Sequence, residues 1–439
     1  MARPQPHCPA AIEMISALSP HPDRDLLAGE LHARPPLPLA SPATISRLAN
    51  VLEPGASRAA AVAHLALLCR RYGVTPPAAG ADFVLADFGR FSLRYERHTE
   101  FDGWTFFRPR PGAAAPDPFG ETAIEAVPTD WLAGLPGRTL VASHIAVVRS
   151  EGEDAPPPPG CFASANLAGA SLAAGAATCW TDFRPGPDGF TRLLLQDHGM
   201  APALTGRLVQ ALWEIETYRM LALLALPAAR AVSTDLGPAS ERLALIASRL
   251  PGLSTLQEER QALEELSALA TSIERQAATT ADRFSAARAY HALVGRRLQV
   301  LREQRLHGLP TLSEFLERRL DPAMSTVDAA HTRIQALSTR CARAVELLRA
   351  RVAVAQEAQA QKLLAAMAET GRAQLRLQET VEGLSVAAIS YYVLSLLGYA
   401  LKPLPWPGGV ATSEVALSLA VPVVAALVWL RIRRQRGGR

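Results

Sequence analysis

The sequence predicts an α+β cytoplasmic domain followed by a long antiparallel helical hairpin (coiled coil) and a C-terminal two-helix transmembrane hairpin. Three observations support this fold class: alternating strand patterns in the first half, a heptad repeat in the second half, and two long uncharged segments near the end of the chain. The predicted boundaries are 1–230 for the α+β domain, 231–383 for the helical hairpin and stalk, 384–401 and 410–430 for the spans, 402–409 for the turn between them, and 431–439 for a basic tail.

The charge and the cysteine content of the chain argue against several kinds of partner and site. The 439 residues carry a formal net charge of +4, and nearly all the positive charge is arginine, because Lys362 and Lys402 are the only lysines. No basic stripe with interleaved aromatic residues is found, so nucleic acid is not expected as a partner. Five scattered cysteines without a CxxC pair argue against a disulfide framework and a zinc site. The first residues lack a long apolar core after a basic start, so we expect the bulk of the chain to stay in the cytoplasm.

The first half of the chain alternates between strand and helix signals. Prolines break the first forty residues into an extended segment, and a helix is predicted from Pro42 to Arg71. The run 91–101 alternates apolar and polar residues as a strand does, and Asp102-Gly103 predicts a two-residue hairpin turn after it. Further strands are predicted at 139–148, 178–183 and 190–196, and a helix at 203–226.

From residue 239 onward the sequence predicts helices alone. A seam of apolar and small residues recurs alternately every three and four positions, and this heptad pattern predicts a homo-oligomer through the helical stalk. The break His307–Pro310 ends the first long helix, and Thr311 with Glu314 predicts a capping box for a second, antiparallel helix of roughly 70 residues. The seam consists of Leu263, Leu266, Ala270, Ile273, Ala277, Thr280, Phe284, Ala287, His291, Val294, Leu298 and Leu301.

Two segments near the C-terminus have the length and composition of membrane spans. Nineteen uncharged residues separate Glu382 from Lys402. Sixteen more separate Glu414 from Arg431, and the residues just before Glu414 extend the second segment. A helix of roughly 17–25 apolar residues crosses a bilayer, so a lipid bilayer is the expected partner of both segments. The alternative is a buried apolar hairpin, but the second segment has no polar face.

The turn and the tail predict the orientation of the spans. The turn 402–409 is rich in proline and glycine, and its Trp406 is typical of an anchor at the membrane interface. The tail 431–439 carries five arginines, whereas the turn carries one lysine. Because positive charge is enriched on the cytoplasmic side, we expect the turn outside and both chain ends in the cytoplasm.

Several segments resemble one family of proteins. They are GELHARPP (29–36), RYERHTEF (94–101), WTDF (180–183), EIETYR (214–219) and QLRLQETVEGLSVAAISYY (374–392). The resemblance is to a bacterial family of uncharacterised membrane-anchored proteins, a domain of unknown function, and it extends over nearly the whole chain. It implies a cytoplasmic domain with a C-terminal anchor in the bacterial inner (plasma) membrane. It supplies no activity and no functional residues.

The order of the parts also resembles that of CorA-type magnesium channels, in which a long stalk helix enters the first of two spans. Those channels carry a Gly-Met-Asn signature at the end of the first span, and this chain has 398–401 (GYAL) there instead. A ring of Glu414 side chains, with Lys402 across the turn, is the candidate pore mouth that this resemblance suggests. Plain anchoring at the interface is the alternative role for both residues.

One strand face suggests a metal site. Glu96, His98 and Glu100 alternate on the polar side of the run 91–101, at about 7 Å per step, and together they offer ligands for a divalent metal. A solvated face with salt bridges to Arg94 is the alternative. No cofactor is predicted, because the chain contains no phosphate-binding, dinucleotide-binding or zinc-protease motif.

A second polar segment lies in the proline-fixed N-terminal region. Glu30, His32 and Arg34 of GELHARPP are candidates either for capping a pocket that binds an anion or for an ordered strap packed on the domain.

These patterns lead to three hypotheses of different class. The leading one is a non-enzymatic, homo-oligomeric scaffold or sensor that faces the cytoplasm, because a heptad seam leads into the first span and no catalytic motif is found. The alternative is a CorA-like divalent cation channel or transporter. The third is a membrane-tethered enzyme that uses the face with Glu96, His98 and Glu100, which requires these residues to converge with others in a concave pocket.

Overall fold

The computed structural model describes most of the chain and divides it into two compact units. The described residues are 21–24, 27–28, 35–53, 59–110, 117–150, 156–162, 166–401 and 410–436. The first unit comprises Met1–Leu245 with Ala268–Cys341, and the second comprises Ile246–Ser267 with Ala342–Arg439. The candidate residues Glu30, His32 and Arg34 of the GELHARPP segment lie outside the described residues.

The N-terminal domain is α+β and is built on one mixed sheet. Its described strands are β1 (Ala43–Val51), β2 (Phe83–Asp87), β3 (Ser92–Arg97), β4 (Phe101–Pro109), β5 (Arg138–Arg149), β6 (Ala168–Leu172), β7 (Ala177–Pro185), β8 (Thr191–Asp197) and β9 (Gln304–Arg305). Their order in the sheet is β2-β3-β4-β1-β5-β8-β7-β6-β9. β5 and β8 run parallel, and the other neighbouring pairs run antiparallel.

Helices make up most of the second half of the chain. They are α1 (Ala59–Arg71), α2 (Thr129–Ala133), α3 (Pro202–Leu223), α4 (Ala225–Arg249), α5 (Leu256–Leu301), α6 (Leu312–Leu401) and α7 (Val410–Arg436). α6 has 90 residues, so the predicted second long helix and the first predicted span form one continuous helix. α7 begins at the residue where the second span was predicted to begin.

The helix predicted from Pro42 to Arg71 is wrong in its first half. Ala43–Val51 is the strand β1, and the helix α1 begins only at Ala59. β1 pairs with β4 on one side and with β5 on the other, so both edges of its backbone are hydrogen-bonded. This segment is a strand because it pairs with β4 and β5, which lie about 60 and 100 residues further along the chain. Its local sequence does not indicate these partners.

The two faces of strands β1, β3 and β4 differ in chemistry, because successive side chains of a strand point to opposite sides. On one face Leu48, Tyr95 and Trp104 pack with Leu65 and Leu68 of α1 in an apolar core. The other face is polar, and α3 covers it. The alternation predicted for β3 is therefore correct, but the polar face is buried. Its side chains include Arg47, Arg94, Glu96 and Thr105.

The hairpin turn predicted at Asp102-Gly103 lies elsewhere. Both residues are inside β4, and the backbone N–H of His98 donates to the carbonyl of Phe101 at 2.9 Å, which places the turn at Thr99-Glu100. The Tyr95 hydroxyl donates to Asp102 at 3.0 Å across the hairpin. Asp102 therefore has a partner within the sheet and is not available as a solvated turn residue.

The helices α5 and α6 contact each other in opposite chain directions within the first unit. Ser338 donates to Glu274, and further along His291 lies 2.9 Å from Asp321. The predicted seam is buried against this partner within a single chain. Its most buried members are Leu266, Ile273, Phe284, Ala287, Val294 and Leu301.

The predicted capping box at the start of α6 is confirmed. The backbone N–H of Thr311 donates to the Glu314 carboxylate, and the backbone N–H of Glu314 donates to the Thr311 hydroxyl, both at 3.1 Å. Two backbone donors at the helix start are thereby satisfied reciprocally.

The segment 35–40 lies along α3 without regular secondary structure. The Leu39 N–H donates to the carbonyl of Pro202 at 2.9 Å, and Arg94 donates to the carbonyl of Pro35 at 2.8 Å. The Leu37 carbonyl passes so close to Gly206 that a Cβ there would lie 1.9 Å from its oxygen. This part of the N-terminal region is thus an ordered strap, and the glycine of α3 makes room for it.

Candidate functional site

A cluster of charged side chains lies on the buried polar face of the sheet. Arg47 on β1 donates to one carboxylate oxygen of Glu96 at 3.0 Å, and Arg94 on β3 donates to the other at 2.6 Å. All three residues are at most 4% exposed. One carboxylate is therefore bonded to two guanidinium groups that have no access to water.

The neighbouring strand and helix shape this cluster. Thr105 on β4 accepts a hydrogen bond from Arg47 at 2.6 Å, and a Cβ at Gly103 would lie 2.3 Å from the same guanidinium. The ring of Trp213 on α3 lies 5.8 Å from Arg47 and 5.6 Å from Arg94, in cation–π geometry. A side chain at position 103 would have to displace the guanidinium of Arg47, whereas glycine leaves it in place.

A small cavity of about 140 Å³ adjoins the cluster, and residues of the helices α3 and α5 line part of it. From α3, Glu214 and Tyr218 line it one helical turn apart, and from α5, Arg297 pairs with Glu214. Gln210 also donates to Glu214 at 2.9 Å. The cavity is smaller than the roughly 300–1,000 Å³ of typical ligand pockets, so it holds a few water molecules at most.

The two glutamates of the cavity have opposite electrostatics. Burial alone would raise the pKa of Glu96, but the guanidinium groups of Arg47 and Arg94 outweigh burial and lower it to about 2. Burial raises the pKa of Glu214 above its usual value, and the charge of Glu96 adds to the rise despite Gln210 and Arg297. The pKa values of the two neighbouring carboxyl groups are thus shifted in opposite directions.

The other two predicted ligands, His98 and Glu100, have different surroundings. His98 lines the cavity and stacks on Phe101 at 4.1 Å between ring centroids. Glu100 accepts hydrogen bonds from Arg283 on α5 at 2.7 and 3.3 Å. Burial, and then the charge of Glu100, raises the pKa of Tyr290 nearby.

Glu96 and His98 therefore line one cavity, whereas Glu100 is bonded to Arg283 of α5. Each of the two glutamates is bonded to arginine. Among the described residues no group of three or more histidine, cysteine, aspartate or glutamate side chains is arranged to hold a metal ion.

Sequence reasoning missed the residues that complete the cluster. Arg47 precedes Glu96 by 49 residues, and Glu214 and Tyr218 come from a helix more than a hundred residues later. The signal was present in the segment EIETYR, because residues four apart on a helix share a face. Glu214 and Tyr218 have this spacing.

Two helical stretches of the described chain are long and apolar enough to cross a membrane by length and composition, Pro202–Gly252 and Leu312–Ala400. The first stretch contains α3, which packs on the sheet, and its apolar window is 33% buried. The window of the second is only 6% buried. A shorter apolar helix follows at Ser418–Arg431. The first stretch therefore contributes in part to the core of the domain, whereas the apolar window of the second is mostly exposed.

The predicted side chains of the turn and pore mouth lie outside the part of the chain that the structure describes. Lys402 and Trp406 lie outside the described residues, and Glu414 lies in α7 but its side chain is outside them. The roles expected for these residues stay predictions, and so does the resemblance to CorA-type channels.

Comparison with known proteins gives one match. A family model described as a protein of unknown function (DUF3422) matches residues 19–438. No curated protein matches this chain. No solved structure matches it either.

Proposed function

Because the chain belongs to the DUF3422 family of proteins of unknown function, we propose its role from its own geometry: a membrane-attached scaffold or sensor that faces the cytoplasm and assembles from several copies of the chain. The observation that carries this proposal is a seam of exposed apolar residues on α6, which continues into the apolar end of the same helix. We call this the assembly seam. It consists of Leu363, Met367, Thr370, Gln374, Leu377, Val381 and Leu384.

The assembly seam has heptad spacing and no partner within the described part of the chain. Its apolar members are between 55% and 74% exposed. Their steps of four and three residues place them on one stripe of the helix. A monomer rarely exposes so long an apolar stripe to water, so the stripe favours a protein partner.

Charge is excluded from the seam and from its flanks. Every charged residue from 363 to 388 falls on the opposite side of the helix, at the three heptad positions farthest from the seam. The flanking positions carry uncharged residues such as Leu364, Gly371, Ala373 and Gln378. A broad uncharged face suits close packing against copies of itself. The charged residues are Glu369, Arg372, Arg376, Glu379 and Glu382.

A second copy in parallel orientation is the partner that fits this face. The apolar end of α6 and the helix α7 are the proposed membrane hairpin in the bacterial inner membrane. Two copies in one membrane leave it in the same direction, so their seams run parallel. Thr370 then faces Thr370 and Gln374 faces Gln374, which pairs polar with polar and fixes the register.

Charged substitutions in the seam test the assembly. The double variant Met367→Glu/Leu377→Glu is expected to reduce the full chain in detergent from several copies to one, because a buried carboxylate without a partner costs several kcal/mol. Light scattering of the detergent-solubilised protein measures the copy number. The matched control is Ala368→Glu/Leu375→Glu, which adds the same charge one position outside the seam. A single copy in the unchanged protein, or equal dissociation of the control, overturns the assembly.

Oxidative crosslinking tests the direction of the copies. Gln374→Cys is expected to form a covalent dimer, because parallel copies in register place this residue against itself. Arg376→Cys, on the outer side, is the control that stays uncrosslinked.

Membrane attachment is tested separately by labelling from outside the cell. With the turn outside and both ends in the cytoplasm, Gly408→Cys is expected to react with a membrane-impermeant thiol reagent in intact cells. Gln435→Cys, in the basic tail, is expected to react only after permeabilisation, because arginine-rich segments stay on the cytoplasmic side. Labelling of the tail in intact cells, or of neither site, contradicts the proposed topology.

A further inference from the structure

A second cavity of about 390 Å³ lies in the first unit, away from the charged cluster. It is formed by the end of β7, by α3 and by the first turns of α6. Six of its lining residues carry the argument: Asp182, Phe183, Arg184, Arg219, Phe315 and Arg319. The volume is within the roughly 300–1,000 Å³ range of pockets that bind small molecules. We call it the arginine pocket.

The wall of the pocket on β7 is an irregular piece of strand. β7 departs from its pairing with β8 between Thr181 and Pro185, and Phe183 has a φ of +54°. This left-handed conformation is costly for a residue with a side chain, and such strain persists where the surroundings enforce it.

Local hydrogen bonds explain why the strand bends here. The Phe183 N–H donates to the Thr181 hydroxyl, and the Arg184 N–H donates to the Asp182 carboxylate, both at 3.1 Å. β4 contains nearly the same segment, Trp104–Pro109, with Phe106 where β7 has Asp182, and it pairs without interruption. The single exchange to aspartate therefore supplies the acceptor that turns a regular strand into a pocket wall.

The bend leaves the pocket with an excess of positive charge. Arg219 is bonded to Glu216 and also donates to the carbonyl of Phe183 at 3.2 Å, so its charge is compensated. Arg184 and Arg319 are exposed and have no ion pair with any carboxylate of the described residues. The Arg319 guanidinium lies 3.9 Å from the centre of the Phe315 ring, which orients it at the pocket.

Apart from Asn166 and Asp182, the rest of the lining is apolar. Phe183 packs on Phe315 at 5.2 Å between ring centroids, and Leu223, Leu316 and Leu320 complete this side. The lining carries three arginines and one carboxylate, so two guanidinium groups without an ion pair beside an apolar wall match a molecule with an anionic head and a hydrocarbon body. A small hydrophilic anion would leave the apolar wall uncovered, and a neutral hydrocarbon would leave the guanidinium groups without a partner.

We propose that the arginine pocket binds an anionic amphiphile, with a carboxylate or phosphate head held by Arg184 and Arg319 and a hydrocarbon chain packed on Phe315 and the leucines. This inference does not depend on membrane attachment or on assembly. Its failure is therefore distinguishable from the failure of the proposed function.

Calorimetric titration of the full chain in phosphatidylcholine nanodiscs tests the inference. Octanoate is expected to bind at least ten times more tightly than octanol, which lacks the charge, and than acetate, which lacks the chain. Arg184→Ala/Arg319→Ala is expected to weaken octanoate binding at least tenfold. Arg318→Ala is the matched control, because this neighbouring arginine donates to the carbonyl of Glu314 and does not line the pocket.

Two outcomes distinguish between the possible sources of the ligand, and three others overturn the proposal. Weaker octanoate binding in nanodiscs that contain phosphatidylglycerol supports a lipid of the bilayer as the ligand, since that lipid competes. Unchanged binding supports a free amphiphile. Equal affinity for octanoate, octanol and acetate overturns the proposal. So does octanoate binding that survives the double arginine variant, or no octanoate binding at all.

Discussion

Glu96→Gln is expected to destabilise the sheet domain by about 3–5 kcal/mol, because it removes the charge of the carboxylate to which both buried guanidinium groups donate. Arg47 and Arg94 are 2% and 1% exposed, so neither can recover its hydration without opening the domain. Thermal unfolding of the full chain in detergent, followed by circular dichroism, measures the loss, and a fall in Tm of the order of 10 °C is expected.

Glu214→Gln in the same cavity is the matched comparison. Glu214 pairs with Arg297, whose side chain is 36% exposed, so this guanidinium can be hydrated when Glu214 loses its charge. The same chemical change should therefore alter stability by less than about 1 kcal/mol near neutral pH. Equal losses for the two variants, or no loss for Glu96→Gln, would show that the burial of the arginine partners does not decide the cost.

The pH dependence of the loss follows from the direction of the shift at Glu96. Its pKa is lowered from 4.5 to about 2 in the folded chain, so its contribution is fully present above pH 4.5 and disappears as the pH falls through about 2. The difference in Tm between the unchanged protein and Glu96→Gln should therefore shrink between these pH values. A difference that is constant down to pH 2 contradicts the assigned ionisation.

Gly206→Ala is expected to cost about 3 kcal/mol, the upper end of the usual range for overpacking. The new Cβ would lie 1.9 Å from the carbonyl oxygen of Leu37, and neither backbone can move without breaking other bonds. The Leu39 N–H is bonded to Pro202 at the start of the same helix. We expect the strap 35–40 to leave α3, which faster amide hydrogen exchange at Leu39 and a lower Tm would report.

Gly295→Ala on α5 is the control for this change. A Cβ there meets nothing within 4 Å, so alanine should stabilise the helix by about 0.5–1 kcal/mol through its higher helix propensity. The prediction for Gly206 fails if both alanine variants are equally tolerated.

The features that the sequence predicts correctly depend on neighbours within a few residues. The capping box of Thr311 and Glu314, the alternation along β3, and the long uncharged end of α6 can each be recognised in a short window. A helix cap, a strand face and an apolar run are local patterns, and tertiary packing did not change them.

The errors arose where a distant partner decides the conformation. Ala43–Val51 is a strand because β4 and β5 pair with it, although its own residues also suit a helix. Asp102-Gly103 has the composition of a turn, yet both residues lie in β4 because they pair with β1 on one side and with β3 on the other. The competing local signal was real in both cases, and the energy of long-range pairing outweighed it.

By itself the sequence determined the periodicities of this protein: a polar face on β3, heptads along two long helices, and uncharged segments at the C-terminus. Only the tertiary structure decided which of these faces is buried and against what. The face with Glu96 became a buried ion cluster because Arg47, Glu214 and Arg297 come from other elements. The free energy of a charged side chain depends on its solvation and on its nearest counter-charges, and both are set by residues far away in the chain.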